Sequence, residues 1–356
     1  ARTTTGWSRS PSGCRWPIKA VVSAMGLVLM GEPVAAQSFA DVGTRAQGMA
    51  GAFIAVADDA TATWWNPAGL AGGALFSAVF ERGTSRMPDE MPPSGPAMRT
   101  RTSGLALGYP ALGLSVYRFR VSERGQFQSI AAVEPDRQDQ GLAPAVRALA
   151  VSAFGATFGQ SIGNHIVVAT TVRLLRAEAV TSSDVSGTDA LDRVEDLSGD
   201  KDWAGDLDLG LMLRFGPLSV GGAVKHLGEP GFGDERERIT LTRQARAGAA
   251  IRKEKAGVFD SLVGAIDLDL TTNPTVFGDE RRVAAGGELG VLGSRLVARG
   301  GLSRNIVGSS RGTWQGSAGA SIALRSGVYV DGAITPGDES RIASRTGWSL
   351  ALRTIF

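Results

Sequence analysis

From Ala74 to the end of the chain, apolar and polar residues alternate with a period of two, the spacing of strands whose two faces meet different surroundings. Near the C-terminus, Trp314, Gly316, Ala318, Ala320, Ile322 and Leu324 share one face, and Gln315, Ser317, Ser321 and Arg325 the other. Leu207, Leu209, Leu211, Leu213 and Phe215 alternate with Asp206, Asp208 and Arg214, while Ile266, Leu268 and Leu270 alternate with Asp267 and Asp269. The pattern predicts strands near 74–83, 101–109, 112–121, 145–159, 164–177, 203–215, 218–227, 238–251, 260–270, 281–291, 295–305, 313–324, 328–335 and 345–356. That is about 14, an even number as in single-chain bacterial barrels, with room for a further hairpin arm at 122–134.

A soluble sandwich would alternate too, so the connections decide. Short ones fall at Tyr109-Pro110-Ala111, Gly216-Pro217, Leu292-Gly293-Ser294 and Arg325-Ser326-Gly327. Long polar ones fall near 84–100, 122–144, 178–202, 228–237, 271–280, 306–312 and 336–344, and the two kinds alternate. Long loops at one end and tight turns at the other are the pattern of an outer-membrane barrel. The predicted fold is therefore all-β: a transmembrane antiparallel barrel of about 14 strands over residues 74–356, in contact with outer-membrane lipids. On this reading Asp206, Asp208, Arg214, Lys225, Arg246, Asp267, Asp269, Glu288, Arg295, Arg299 and Asp331 face the lumen, where opposite charges on neighbouring strands pair. Aromatic residues make up only 6% of the chain, so the interfacial girdle is thin; Trp203, Trp314, Trp348, Tyr109 and Tyr329 lie near strand ends and could supply it.

Composition agrees. Hydrophobic residues are 43% of the chain and mean hydropathy is +0.02, with no apolar run long enough for a membrane helix. The 48 glycines follow no collagen-like period and suit strands that pack closely and bend around a barrel. Arg2, Arg9, Arg15 and Lys19, the apolar stretch Ala20 to Met30 and the small residues Val34-Ala35-Ala36 read as a signal peptide over residues 1–36. Without it the net charge is about −1, which argues against nucleic acid, and the single cysteine, Cys14, is gone.

Between signal and barrel, residues 37–73 do not alternate. They carry Gly43-Thr44-Arg45-Ala46-Gln47-Gly48-Met49-Ala50-Gly51-Ala52-Phe53-Ile54-Ala55-Val56-Ala57-Asp58-Asp59 and then Trp64-Trp65-Asn66-Pro67-Ala68-Gly69-Leu70-Ala71. Gly48 and Gly51 permit close backbone approach, Asp58 and Asp59 can cap the turn after them, and Asn66-Pro67 starts a turn. Placement alone predicts a small plug, or hatch, in the lumen.

The wording resembles that of the FadL-like outer-membrane transport proteins, and more closely their PorV-type and TraF-like relatives, nearly continuously over about 29 residues. Ala50 stands where that family usually has Gly. Leu218 to Gly228 resembles a recurrent strand of the same relatives, with His226 where Asn is common. The resemblance implies that the hatch gates passage through its Asn-Pro-Ala element, here Asn66, Pro67 and Ala68, with Phe53, Trp64 and Trp65 either lining an apolar path or forming buried core. The terminal strand places Trp348, Leu350, Leu352 and Phe356 on one face, resembling the signal read by barrel-assembly machinery, with Thr354 as a departure.

Chemistry is sparse. His165 and His226 are the only histidines and sit in no nucleophile arrangement, so no enzyme is expected. The acidic stretch from Asp184 to Asp202 lacks calcium-loop spacing and reads as a solvated loop; no metal and no cofactor is expected. Two functions follow from the resemblance. One is passive transport of hydrophobic small molecules such as long-chain fatty acids or hydrocarbons. The other is a PorV-type docking platform for a secreted protein.

Overall fold

Alternation becomes architecture through backbone hydrogen bonding: in lipid every strand needs a partner on both sides, and only a closed cylinder supplies one. The computed structural model describes residues 42–87, 96–128, 142–182, 190–196, 199–233, 238–308, 311–337 and 344–356. The signal reading for 1–36 lies outside them. The strands are β1 (Ser77–Met87), β2 (Ala97–Tyr109), β3 (Leu112–Gln128), β4 (Leu142–Ile162), β5 (Ile166–Ser182), β6 (Lys201–Phe215), β7 (Leu218–Lys225), β8 (Gly231–Phe232), β9 (Ile239–Thr240), β10 (Gln244–Ala256), β11 (Phe259–Asp269), β12 (Asn273–Thr275), β13 (Gly278–Glu280), β14 (Arg282–Val291), β15 (Leu296–Asn305), β16 (Trp314–Arg325), β17 (Val328–Thr335) and β18 (Thr346–Ile355). Fourteen of these close into one antiparallel barrel, sealed where Ser77 of β1 pairs with Gly108 of β2 and with Ile355 of β18. The pairs β8/β9 and β12/β13 are small separate hairpins.

The two faces sort as the alternation requires. Leu114, Val116, Phe154, Phe158, Val172, Leu174, Leu209, Ile266, Leu302, Ile322 and Leu350 are exposed on the outside, an apolar surface that only lipid or detergent covers at low cost. Trp203, Trp314 and Trp348 are exposed toward the long-loop end, and Tyr109, Phe158, Phe215 and Phe356 toward the turns. Tyr329 does not join them. It shares the inward face of β17 with buried Asp331 and lies 4.7 Å beneath the Arg353 guanidinium.

The wall is uneven: β4 has 21 residues and β7 only 8. The strand predicted at 238–251 begins only at Gln244, because the chain before it turns inward as β8 and β9 and buries Phe232, Ile239 and Leu241. The loop predicted at 271–280 likewise forms β12 and β13 and buries Phe277. The acidic loop contains a helix, Ala190–Asp196, whose Leu191 and Val194 pack on Val146 and Ala148. Apolar residues spaced three apart inside that charged run are what fold it down.

Residues 42–73 fill the lumen. They comprise α1 (Thr44–Gly48), α2 (Ala62–Trp65) and a 3-10 helix (Pro67–Gly72), so the helix Ala190–Asp196 is α3. Almost every residue from Val42 to Leu70 is buried, and the segment belongs to the same compact unit as the barrel, Pro33–Phe356. Glycines on the wall make the fit possible. A Cβ on Gly301 would lie 2.5 Å from the Met49 carbonyl oxygen, one on Gly221 2.7 Å from that of Ile54, and one on Gly319 3.1 Å from the Gly48 Cα.

Candidate functional site

The site is the junction of hatch and wall, and wall carboxylates hold the hatch backbone. Glu81 on β1 accepts the Gly43 and Thr44 N–H groups at 2.8 and 2.9 Å, satisfying donors that open α1. Asp267 on β11 accepts the Phe53 and Ile54 N–H groups at 2.8 and 2.9 Å through one oxygen. Asp59 stays within the hatch, accepting from the Thr61 N–H at 2.9 Å and its hydroxyl at 2.5 Å, the turn-capping role read from sequence. Asp58 does something else: its carboxylate bonds Arg45 and Arg252.

Arg45 is the hub. Its Nε and Nη2 donate to Glu288 at 2.8 and 3.0 Å in the two-pronged geometry that carboxylates favour, and its Nη1 reaches Asp58 and Asp59. Arg299 donates to the same Glu288 at 2.6 Å. Burial opposes the Arg45 charge, but Asp58, Glu288 and Asp59 outweigh it and raise its pKa. Burial likewise opposes the Asp58 charge, and the guanidiniums of Arg45 and Arg252 overcome it, holding Asp58 below the usual carboxylate range.

The Asn-Pro-Ala element is anchored through Asn66. Its side-chain amide donates to the carbonyls of Ile54 and Leu211, both at 3.0 Å, and its oxygen accepts the Ala68 N–H at 3.2 Å, capping the 3-10 helix that Pro67 opens. Asn66 thereby lies on the β6–β7 seam, where Gly210 and Gly221 leave no side chain; a Cβ on Gly221 would sit 3.0 Å from its amide nitrogen. Trp64 and Trp65 are buried. Trp65 donates its indole N–H to Val42 O at 2.9 Å and meets Phe53 edge-on at 5.8 Å. Trp64 packs on Phe119 at 4.7 Å and Tyr117 at 5.4 Å, with the Lys225 ammonium 2.9 Å and the Arg173 guanidinium 4.6 Å from its ring centres.

Of the charges predicted to face the lumen, Asp206, Asp208, Lys225, Arg246, Asp267, Asp269, Glu288, Arg299 and Asp331 are buried there. Arg246 bridges to Asp269 at 2.5 Å and donates to the Gly51 carbonyl at 3.2 Å; Arg214 donates to that of Gly69 at 3.2 Å. Arg295 is a correction. It is exposed in the turn between β14 and β15, because the turn is one residue longer than expected and ends before Leu296. Asp206, Asp208 and His226 bring three potential ligand atoms within 4.8 Å of one another. Each already has a protein partner: Asp206 the His226 ring at 2.6 Å, Asp208 the Arg173 guanidinium at 2.7 Å.

Sequence reasoning missed Arg45, Glu81 and Arg173. A charge inside an otherwise small and apolar hatch, and an acid at inward parity on β1 between Val79 and Gly83, were the signals available. It also missed how the lumen is divided. On β3, β4 and β5 the inward residues include Tyr117, Phe119, Leu149, Val151, Ala153, Leu175 and Ala177, all in one buried cluster with Trp64, and also the buried Arg173 and Glu123. Above Phe119 on β3 comes Val121, which joins Met87, Met98 and Phe277 in a second apolar cluster at the long-loop end. The opposite side, β14 to β18, presents Glu288, Arg299, Asp331 and Arg353.

Neither a protein-family model nor a curated protein matches the sequence. Solved structures do match in fold. The Ralstonia pickettii toluene transporter TbuX is 14% identical over 89% of this chain and 99% of its own, with a TM-score of 0.57. CymD, a monoaromatic hydrocarbon channel, is 15% identical over 90% and 99% of the two chains, with a TM-score of 0.58. The P. putida toluene transporter TodX is 11% identical over 90% and 99%, with a TM-score of 0.51. At such identities what is shared is the fold.

Proposed function

We propose that the protein is a FadL-like channel of the Gram-negative outer membrane that passes hydrophobic small molecules, of the fatty-acid or hydrocarbon class, down their gradient. One observation carries the reading: two buried apolar clusters follow one another along β3, Met87, Met98, Phe277 and Val121 at the long-loop end and then Phe119 with Leu149, Leu175 and Trp64 of the hatch. A solute moving along them exchanges apolar contacts for apolar contacts until it reaches Trp64, whose ring is flanked by Arg173 and Lys225. The hatch meets the glycine-lined β6–β7 seam through the Asn66 hydrogen bonds and the close packing of Ile54, Pro67 and Ala68 on Gly210 and Gly221. Solved structures of this fold include toluene transporters and a monoaromatic hydrocarbon channel, which supports the same solute class.

The hatch packs tightly enough to favour one other reading, a PorV-type platform that docks a secreted protein and passes nothing. Uptake into proteoliposomes decides. Labelled fatty acid and toluene should enter faster with the protein than without it, and Phe119→Asp, which charges the second cluster, should remove most of the gain. No acceleration of either solute, together with co-purification of a secreted protein, would establish the platform instead.

A further inference from the structure

The outward face between β1 and β6 ends in a basic rim that the lumen does not use. One cross-strand row, from β1 to β6, reads Arg82, Ser103, Arg118, Ser152, Arg176, Trp203. Directly below it on the first five strands are Phe80, Leu105, Val116, Phe154 and Leu174, all exposed and apolar. With strands about 4.8 Å apart, Arg82, Arg118 and Arg176 recur about every 10 Å with a serine between each pair.

Like charges also face each other across the strands here: Arg86 opposite Arg99, and Arg101 opposite Arg120. Two acids on this face are Asp192 of α3, bonded to Arg99, and Glu178, which accepts the Gly199 N–H at 2.9 Å. A groove of about 1140 Å³ runs along the rim, with Phe80 and Trp348 at its apolar side and Arg82, Arg118, Arg120 and Asp192 at its polar side. On the opposite wall the corresponding row reads Leu268, Val283, Arg304, Trp314, with one arginine stacked on Trp314 at 5.2 Å in place of three, as Arg176 stacks on Trp203 at 5.7 Å.

We propose that this rim binds the phosphate-bearing head group of a lipid in the leaflet at the long-loop end. In the outer membrane that lipid is lipopolysaccharide, and the ligand is its phosphorylated glucosamine disaccharide. Acyl chains lie on Phe80, Leu105, Val116 and Phe154, phosphates meet the guanidiniums above, and the serines take sugar hydroxyls. Guanidinium forks match phosphate oxygens, and arginine stems reach upward from the apolar belt to a polar head. The inference rests on the membrane placement proposed above, not on the solute carried.

The test is lipid titration of the purified full-length barrel in uncharged detergent, read by native mass spectrometry. Bisphosphorylated lipid A should bind at least tenfold more tightly than its monophosphorylated form. Arg82→Gln/Arg118→Gln/Arg176→Gln should weaken it about a hundredfold, as three basic residues lost from an anionic lipid surface imply. Lys253→Gln, on the outer face near the turn end, should bind as the unaltered protein does. The triple Lys variant should keep most of the affinity. If the triple Gln barrel does not fold, Arg118→Gln alone should weaken binding severalfold. Unchanged binding by the Gln variants overturns the proposal, as does inorganic pyrophosphate binding as tightly as the lipid, which would mark a free-anion site. Solute uptake is a separate readout, so loss of the transport reading leaves this result standing, and the reverse.

Discussion

Arg45 concentrates the charge balance of the lumen in one side chain. It is buried with Asp58, Asp59 and Glu288 around it, and each acid has a second partner: Arg252, Thr61 and Arg299 respectively. Replacing it by Gln leaves the buried Asp59 and Glu288 and the half-buried Asp58 with one cation fewer, a loss of roughly 3–5 kcal/mol for a broken buried network. Arg45→Gln should therefore lower the temperature at which the folded, detergent-resistant band converts on a gel. Arg45→Lys should recover little, because an ammonium cannot make the two-pronged contact with Glu288. A pH response belongs to Asp58. Since Arg45 and Arg252 depress its folded pKa, its contribution to stability is complete above the ordinary carboxylate range and is lost as pH falls through the lower, folded value. Protease protection of the hatch should hold from pH 7 to pH 5 and fail only in stronger acid, and Asp58→Asn should remove that share of the acid response. Protection that is already lost at pH 5 in the unaltered protein, but kept in Asp58→Asn, would contradict the assignment.

At the level of elements, the glycine-lined contacts explain why so small a plug sits so firmly. On Gly301, which faces inward, a Cβ would press on the Met49 carbonyl; on Gly300, which faces outward, it would find only the Ser317 carbonyl oxygen, 3.9 Å away. Gly301→Val should therefore open the hatch to limited proteolysis between residues 42 and 73, and Gly300→Val should not. The same contrast marks what the sequence could and could not reveal. Strand positions were legible because alternation sees one strand at a time, and Leu112, Leu218 and Val328 begin strands where the pattern puts them. The inward hairpins were not legible, since Phe232, Ile239 and Phe277 are isolated apolar residues in polar loops and their burial depends on walls built from distant strands. In the candidate site, Asn66 and Asp59 were readable as local caps. Arg45 was not, because its meaning depends on Glu288, 243 residues away. Arg295 failed for the opposite reason: parity was extended one residue into a turn, where parity no longer applies.

For the whole molecule, the division of the lumen into an apolar wall and a charged wall requires the hatch to act as a seal against water as well as a seat for the solute. Its backbone donors reach Glu81 and Asp267, and its Arg45 reaches Glu288, so these carboxylates keep protein partners only while the hatch is in place. Removing residues 42–73 would expose those carboxylates together with Arg246 and Arg299 to an open lumen, and water would follow them in. The intact protein should then carry apolar solutes while liposomes containing it resist swelling in small sugars and pass little ionic current. The hatchless barrel should swell liposomes readily, conduct ions and lose its preference for apolar solutes, because solvent now bypasses the apolar clusters of Phe277 and Phe119. The comparison separates two ways in which selectivity could arise. If the intact barrel admits sugars as fast as the hatchless one, the charged wall is already wet and selectivity cannot come from exclusion of water. If neither conducts, the long-loop end closes the channel by itself, and the gate belongs at the Phe277 cluster instead of at Asn66.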